Sequence, residues 1–457
     1  MKVLLINSPY GTNRIVRDMA GGLGFDGGDV TLLPPLELLY MATALKNKGH
    51  KAEIIDASNT GESADKILFG LAEGQFDAVI ATVSLPTIAS DCEFVSRVRA
   101  AAGKKLKLLV KTSLADHGLL KDILKRSKAD LIIFGEADTA VCGILEGSVT
   151  DGCARYDASG KFVAGKQLTV EDLDTLPLPD RSLIDNSIYK YPLLGQGLAT
   201  VQTSRGCPFE CYYYCPYALV QGRKYRFRSV ANVTAEITDI VKRHLVKKIL
   251  FRDATMTLKK DRTLELCAAL EKLNIEWWCE SRVDCLGEEL LEAMKRSGCR
   301  GINLGIESGD TSLVESSKKG LDFGHLSDIV SAAKRIGIRL HLLFMMGLPV
   351  ETKRSFWKTY TLIKKLRPES VGVTIVTPFP GTPLYAEALK KGWIKDKEFS
   401  HYGSHYAVMK TGKLSRLRIY AAFRLVSALV AWRDSKGFGI TIKKFLGEAA
   451  LFLVTHF

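Results

Sequence analysis

Three cysteines fall within nine positions of the chain, Cys207, Cys211 and Cys215, in the stretch GCPFECYYYCPY (206–217). Three thiolates on so short a loop can hold a [4Fe–4S] cluster by three irons and leave the fourth iron open to a small molecule. Zinc is the competing metal, but structural zinc takes four ligands, commonly in Cys-x-x-Cys pairs, and the chain contains no such pair. A purely structural trio is the remaining reading. The other cysteines, at 92, 142, 153, 267, 279, 285 and 299, are scattered singly and read as small core residues. The opening MKVLLINSPYG reads as a first buried strand and not as a secretory leader. The cysteines are therefore expected to be reduced and the protein cytoplasmic.

A chain of 457 residues that is 46% hydrophobic and 25% charged has the make-up of a folded protein. At roughly 100–200 residues per domain it has room for two to four domains. The net charge of +14 would suit nucleic acid, a membrane surface or an anionic substrate. Lysines spread over solvated helix faces explain it equally well.

Two series of elements must position these residues. Over 1–146, strand-like apolar runs at 2–7, 51–57, 77–84, 105–113 and 130–136 alternate with helical stretches such as PLELLYMATALKNKGH (35–50). Short buried strands with intervening helices predict an α/β fold with a doubly wound parallel sheet. Such sheets bind ligands at the carboxyl ends of their strands. Those ends carry Asn7, Ser84, Thr112, Gly135 and Glu136, a small and polar set that lets a large, flat ligand approach the backbone. No Gly-rich phosphate fingerprint follows the first strand, so nucleotide binding is not favoured.

Residues 147–196 read as a connector, with a hairpin near 154–165 and a proline-marked strap at 173–192. A second series over 197–395 has strand-like runs at 197–204, 247–253, 275–282, 301–308, 338–347 and 371–377. Six βα units are fewer than the eight of a closed barrel, so a partial (β/α)6 barrel is expected, with the cysteine loop at its strand-end edge. The tail, 396–457, is expected to be helical. Its stretch LRIYAAFRLVSALVAWR (417–433) is broken by Arg418 and Arg424 and is too short for a membrane span. With Lys410, Lys413, Arg416, Arg433, Lys436, Lys443 and Lys444 around it, this helix either touches an anionic membrane or packs on the barrel with a solvated basic face.

The whole set of motifs resembles the cobalamin-dependent radical S-adenosylmethionine (SAM) enzymes. Within them it is most similar to the branch of hopanoid C-methylases and anaerobic magnesium-protoporphyrin ester cyclase. The resemblance covers about 1–395 and rests on PPLELLYMATALKNKGHKAEIIDA (34–57), FGEADTA (134–140), TSRGCPFEC (203–211) and YRFRS (225–229). It continues through ILFRDATMT (249–257), ESRVD (280–284), GINLGIESGD (301–310), FMMGLPVET (344–352) and TPFPGTPLY (377–385). The family pattern is Cys-x3-Cys-x2-Cys; here the second gap is three, as though one tyrosine were inserted. A bulge can absorb one added residue, and Cys215 is expected still to ligate.

The resemblance implies a [4Fe–4S] cluster on Cys207, Cys211 and Cys215, with SAM as cosubstrate. It implies SAM contacts by Glu280, Arg282, Glu307 and Ser308, and an adenine pocket shaped by the turn at Gly347. It implies cobalamin at the strand ends of the first domain. The Asp-x-His-x-x-Gly motif of other cobalamin proteins is absent, and His117 reads as a surface or capping residue. The implied reaction is radical C-methylation of an unactivated carbon of a small-molecule or lipid-like substrate, with an external electron donor of flavodoxin or ferredoxin type. Radical cyclisation or oxidation without methyl transfer is the same-fold alternative. A non-catalytic iron–sulfur or cobalamin-binding protein is another. An RNA-modifying enzyme would suit the charge, but the extra cluster cysteines and the small RNA-binding barrel of that class are missing, so nucleic acid is not an expected partner.

Overall fold

The computed structural model describes residues 1–11, 14–17, 23–26, 30–73 and 76–435. The chain folds as two compact units. The first comprises Met1–Pro208, Pro216–Ala254 and Leu273–Glu276; the second comprises Phe209–Cys215, Thr255–Lys272 and Trp277–Phe457.

In the first unit, strands β1 (Lys2–Asn7), β2 (Lys51–Asp56), β3 (Ala78–Thr82), β4 (Lys107–Thr112) and β5 (Leu131–Phe134) form a parallel sheet. The hairpin β6 (Cys153–Tyr156) and β7 (Phe162–Ala164) extends it antiparallel to β5, giving the order β2-β1-β3-β4-β5-β6-β7. The inner strands are apolar because helices cover both faces of such a sheet. Leu5 of β1 and Ile80 of β3 share one core with Leu38 and Leu45 of helix α1 (Leu36–Asn47). The chain leaves β1 toward β2 and then returns to the other side of β1 with β3. The topological switch point therefore lies between β1 and β3, where Asn7 and Ser84 stand.

The strap after the hairpin lies along α1. Leu173 and Leu176 pack on Leu36 and Tyr40, and the Asp180 N–H donates to Thr43 Oγ1 at 2.8 Å. Its Arg181 is fully buried and pairs with Glu236 of the helix Val230–His244 at 2.9 Å. The parallel pair β8 (Leu198–Val201) and β11 (Lys248–Phe251) also belongs to this unit, as does the two-stranded ribbon β9 (Ser204–Arg205) and β10 (Arg226–Phe227).

The second unit is built on four parallel strands, β12 (Glu276–Ser281), β13 (Cys299–Glu307), β14 (Arg339–Met346) and β15 (Ser370–Ile375). All six strand-like runs of the second series are thus strands, two in one unit and four in the other. Trp277 and Trp278 of β12 are fully buried. Each satisfies its indole N–H, on Ser297 O at 2.9 Å and Asn303 Oδ1 at 2.7 Å, as a buried tryptophan must. The tail forms the helix Arg416–Ser435, which buries Ile419, Ala422, Val426 and Val430 while Arg418 and Arg424 face solvent. No helix among the described residues is long and apolar enough to cross a membrane. Lys436, Lys443, Lys444 and the final GEAALFLVTHF lie outside the described residues.

Candidate functional site

The first unit has a solvent-open cleft at its strand ends, with about 1040 Å³ free of protein atoms. Asn7, Ser84, Thr112, Gly135 and Glu136 all line it, so the five strand-end residues singled out from the sequence come together. Several of them are already engaged. The Asn7 amide donates to Asp56 at 2.6 Å, and Asp56 also accepts from Tyr189 Oη at 2.7 Å. Burial pushes the Asp56 pKa up, and hydrogen bonds from Asn59, Tyr189 and Asn7 only partly offset it. Ser84 belongs to an anchor in which Arg17 grips both oxygens of Asp91 at 2.7 and 2.8 Å and donates to Ser84 Oγ at 3.0 Å. Thr112 Oγ1 accepts from the Leu114 N–H at 3.2 Å. Gly135 packs against the backbone of Leu168, with which it forms a bridge.

Glu136 is held by Arg226, whose two terminal nitrogens each donate to it at 2.7 Å. Arg205 lies 3.4 Å from the same carboxylate and grips both oxygens of Asp138, at 2.7 and 2.9 Å. Three of the sequence motifs, FGEADTA, TSRGC and YRFRS, therefore meet in one buried ion-pair network. Its effect is to fix the backbone two residues before Cys207. Gly206 has a φ of +84°, and a Cβ there would sit 2.1 Å from Lys224 O. The next N–H, that of Cys207, donates to Gly222 O at 3.1 Å.

The cleft also exposes a group that sequence reading passed over. Tyr40 is fully buried on α1 and lines the cleft, and its hydroxyl has no hydrogen-bond partner among the described residues. The guanidinium of Arg205 lies over its ring, 5.6 Å from the centroid. His117 lies elsewhere. It is exposed at the start of the helix His117–Ser127, beside the capping Asp116, with its ring edge-on to Phe162 at 5.9 Å.

In the second unit, Glu210–Tyr213 forms a single 3-10 turn. The N–H groups of Tyr214 and Cys215 both donate to Cys211 O, at 3.2 and 3.1 Å. The three-residue gap is thus taken up as a helical turn and not as the bulge expected from the sequence. Residues four apart on a turn share a face, and the Cys211 and Cys215 side chains are hydrogen-bonded to each other. Tyr213 reaches Glu387, and Tyr214 is buried against Leu313, Leu348 and Val376. Those two tyrosines hold the turn down.

Around the thiol pair lies a cluster of charges. The Lys319 ammonium is 2.8 Å from Glu307, and the Arg282 guanidinium lies 3.7 Å from the centre of the Phe209 ring. Arg282 also donates to both oxygens of Asp284 at 2.9 Å and to Lys319 O. The hydrogen bond from Cys215, helped by Lys319 and Arg282 against burial and Glu307, brings the Cys211 pKa down to about 6. Cys211 is therefore ready to serve as a thiolate ligand. Cys267, buried on the helix Lys260–Leu270, shows the opposite: burial pushes its pKa up to about 11.

Glu307 adopts a φ of +69° at a register shift between β13 and β14. Such a bulge re-aims the side chain that follows. Gly305 makes the room, because a Cβ there would lie 2.7 Å from both Glu307 Oε1 and Lys319 Nζ. Lys319 is the partner that sequence reading missed; a Lys-Gly pair after a strand-end helix carries no distinctive pattern. Ser308 is turned the other way, bonding Thr359 Oγ1 at 3.3 Å and accepting from the Asp310 N–H. The Gly347 N–H donates to the buried Glu351 carboxyl, which burial raises to a pKa of about 8. The Glu280 carbonyl accepts from the Met256 N–H at 3.1 Å.

Cys207 falls in the first unit and the other two cysteines in the second. Among the described residues no group of three or more His, Cys, Asp or Glu side chains is placed to hold a metal ion. The donor chemistry nonetheless suits an iron–sulfur cluster, since the i,i+4 thiol pair beside two cations is the kind of set that binds as thiolates. The cleft likewise suits a large polar ligand, with strand-end backbone on one side and an unpartnered buried hydroxyl on the other.

Residues 201–363 match the radical SAM superfamily. Over 425 residues the chain is 28% identical to an uncharacterized methyltransferase of Pyrococcus horikoshii, covering 90% of this chain and 88% of that one. It is 25% identical over 447 residues to the anaerobic magnesium-protoporphyrin IX monomethyl ester cyclase of Cereibacter sphaeroides, covering 92% and 71%. Among solved structures it is similar to the cobalamin-dependent SAM radical enzyme OxsB with aqua-cobalamin and SAM bound, with a TM-score of 0.70 at 17% identity, over 100% of this chain and 71% of that one. The fold is that of the cobalamin-binding radical SAM enzymes: α/β units with parallel strands, an antiparallel extension and a helical tail.

Proposed function

We propose that the protein is a radical SAM enzyme that uses a [4Fe–4S] cluster, SAM and cobalamin to methylate an unactivated carbon. The observation that carries this reading is the Cys211–Cys215 pair on one helical turn, with the Cys211 thiol lowered toward thiolate beside Lys319, Arg282 and Glu307. When bound, the cluster and SAM supply radical chemistry and cobalamin supplies a carried methyl group. The protein's part is to bind, orient and exclude water. Cys207, Cys211 and Cys215 would hold the cluster. Lys319 and Arg282 offer cations to a carboxylate, and Glu307 offers an acceptor to hydroxyl or ammonium groups. The strand-end residues of the first unit, with the Tyr40 hydroxyl, would hold the corrinoid.

The first relative named above is described as an uncharacterized methyltransferase, which favours methyl transfer; the ester cyclase relative favours cyclisation as a second reading. Turnover with methyl-labelled SAM separates them. Methylation is expected to yield 5′-deoxyadenosine and S-adenosylhomocysteine together, with label on a substrate carbon. 5′-Deoxyadenosine without stoichiometric S-adenosylhomocysteine or label in product would refute methyl transfer in favour of cyclisation. The basic, apolar tail favours looking first among lipid-like and other hydrophobic substrates.

A further inference from the structure

Strand β14 holds a histidine inside what the sequence shows as a strand-like run. Along Arg339–Met346, the side chains of Leu340, Leu342, Phe344 and Met346 are buried, whereas His341, Leu343 and Met345 keep part of their surface open. Side chains alternate faces along a strand, so one face of the second unit's sheet is packed and the other is accessible at β14. His341 pairs in register with Asn303 of β13 and Ser370 of β15, and Leu343 pairs with Gly305 and Gly372. A Cβ at Gly372 would lie 2.8 Å from His341 Nε2 and 2.7 Å from Leu343 Cδ2, so this glycine lets both side chains lie across β15.

The two ring nitrogens of His341 differ. Nδ1 is 2.8 Å from Ser370 Oγ, while Nε2 has no hydrogen-bond partner among the described residues. Burial brings the pKa down to about 4, so the ring is neutral at physiological pH. The neighbouring polar groups are engaged elsewhere. Asn303 Oδ1 accepts from the Trp278 indole at 2.7 Å, and the Arg339 guanidinium lies over the Trp278 ring at 5.2 Å. After Arg339, the open side chains of β14 are thus a neutral imidazole and then, toward the strand end, Leu343 and Met345.

We propose that this face is a floor for the substrate, on which His341 Nε2 hydrogen-bonds a neutral hydroxyl while Leu343 and Met345 carry an apolar segment of the same molecule. The assignment rests on the reaction proposed above and narrows its substrate to an uncharged apolar alcohol. A hydroxyl both donates and accepts, so it satisfies either imidazole tautomer. It also replaces a water on Nε2 without loss of a hydrogen bond. A carboxylate or an ammonium would shed its hydration beside two apolar side chains and a ring that brings no charge. From His341 to Met345 the strand extends about 13 Å, which sets the length over which the molecule passes from polar to apolar. A site that hydrogen-bonds a hydroxyl also discriminates against an analogue that lacks it.

The test is a calorimetric titration of the full-length protein with 1-octanol, octanoate and octylammonium, paired with proton–carbon magnetic resonance spectra of protein labelled at its histidine ring carbons. Neither measurement needs a cluster, SAM or cobalamin. Expected are saturable binding of 1-octanol, a shifted His341 ring resonance, and at least tenfold weaker binding of the two ions. His341→Phe should bind the alcohol at least tenfold more weakly at the wild-type melting temperature. His341→Gln, whose amide both donates and accepts, should recover most of the affinity. An alcohol that leaves the His341 resonance in place, or that binds His341→Phe as it binds the wild type, would overturn the proposal. So would octanoate or octylammonium bound as tightly as the alcohol. Iron content and SAM cleavage driven by dithionite report on the reaction separately. A chain that takes the alcohol on His341 but cleaves no SAM would support the floor while refuting the reaction, and SAM cleavage with no alcohol on His341 would do the reverse.

Discussion

Arg205 is the cation on which Asp138 depends, and its removal gives a sharp test of how the first unit holds its cysteine-bearing segment. Both side chains are about 95% buried, and the pair is bidentate at 2.7 and 2.9 Å. Glu136 would keep Arg226 as a second partner, whereas Asp138 pairs with no other cation among the described residues. Arg205→Ala therefore strands one buried carboxylate, an event that costs about 3–5 kcal/mol. Loss of the guanidinium from the Tyr40 ring would add about 0.5–1 kcal/mol. Against a total stability of about 5–15 kcal/mol, the loss should be plain in a urea unfolding curve followed by tryptophan fluorescence.

Asp138→Asn removes the charge that is stranded, so the double variant should cost about 2 kcal/mol less than the sum of the two single ones. The pH dependence supplies a second readout. Burial works against the ionised form of Asp138, but the charge and hydrogen bonds of Arg205 outweigh it and hold the pKa below the ordinary carboxylate range. A depressed folded pKa contributes stability above the unfolded value, and that contribution is lost as pH falls through the folded one. In Arg205→Ala this acid-side loss should disappear or reverse, because protonation then relieves a buried charge. A cost under about 1 kcal/mol, additive singles and an unchanged pH profile would together refute the network as an energetic unit.

Three further outcomes are expected. Cys211→Ala and Cys215→Ala should each abolish iron loading after anaerobic reconstitution, whereas Cys267→Ala, at a buried, raised-pKa thiol, should load as wild type; full iron in Cys215→Ala would break the account of the i,i+4 turn. Gly305→Ala places a Cβ 2.7 Å from both Glu307 and Lys319 and should cost about 1–3 kcal/mol of stability while weakening SAM binding in calorimetry; unaltered affinity would remove that ion pair from the SAM site. His117→Ala should leave the electron paramagnetic resonance spectrum of bound Co(II) corrinoid as it was, since the ring packs on Phe162 at the surface; a nitrogen splitting lost in the variant would contradict this.

Local pattern was enough to mark the parallel strands of this protein and to nominate its metal-ligand candidates. Apolar runs of strand length alternating with helices marked all the parallel strands, because a buried parallel strand must be apolar on both faces. The cysteine spacing named three thiols, because a cluster needs soft donors close together on one loop. What the spacing meant in space was a tertiary matter. The odd second gap became a helical turn only because Tyr213 and Tyr214 found Glu387 and an apolar pocket far along the chain.

The charges followed the same division. Glu136, Arg205 and Arg226 lie up to 90 positions apart, and nothing local to any of them says which acid meets which base. Pairing of buried charges is decided by which elements the core brings together, since desolvation forbids leaving either ion alone. Lys319 and Gly305 make the same point at the second site. A lysine and a glycine with no recognisable motif became an ion-pair partner and its clearance, because the bulge at Glu307 turned a carboxylate toward them.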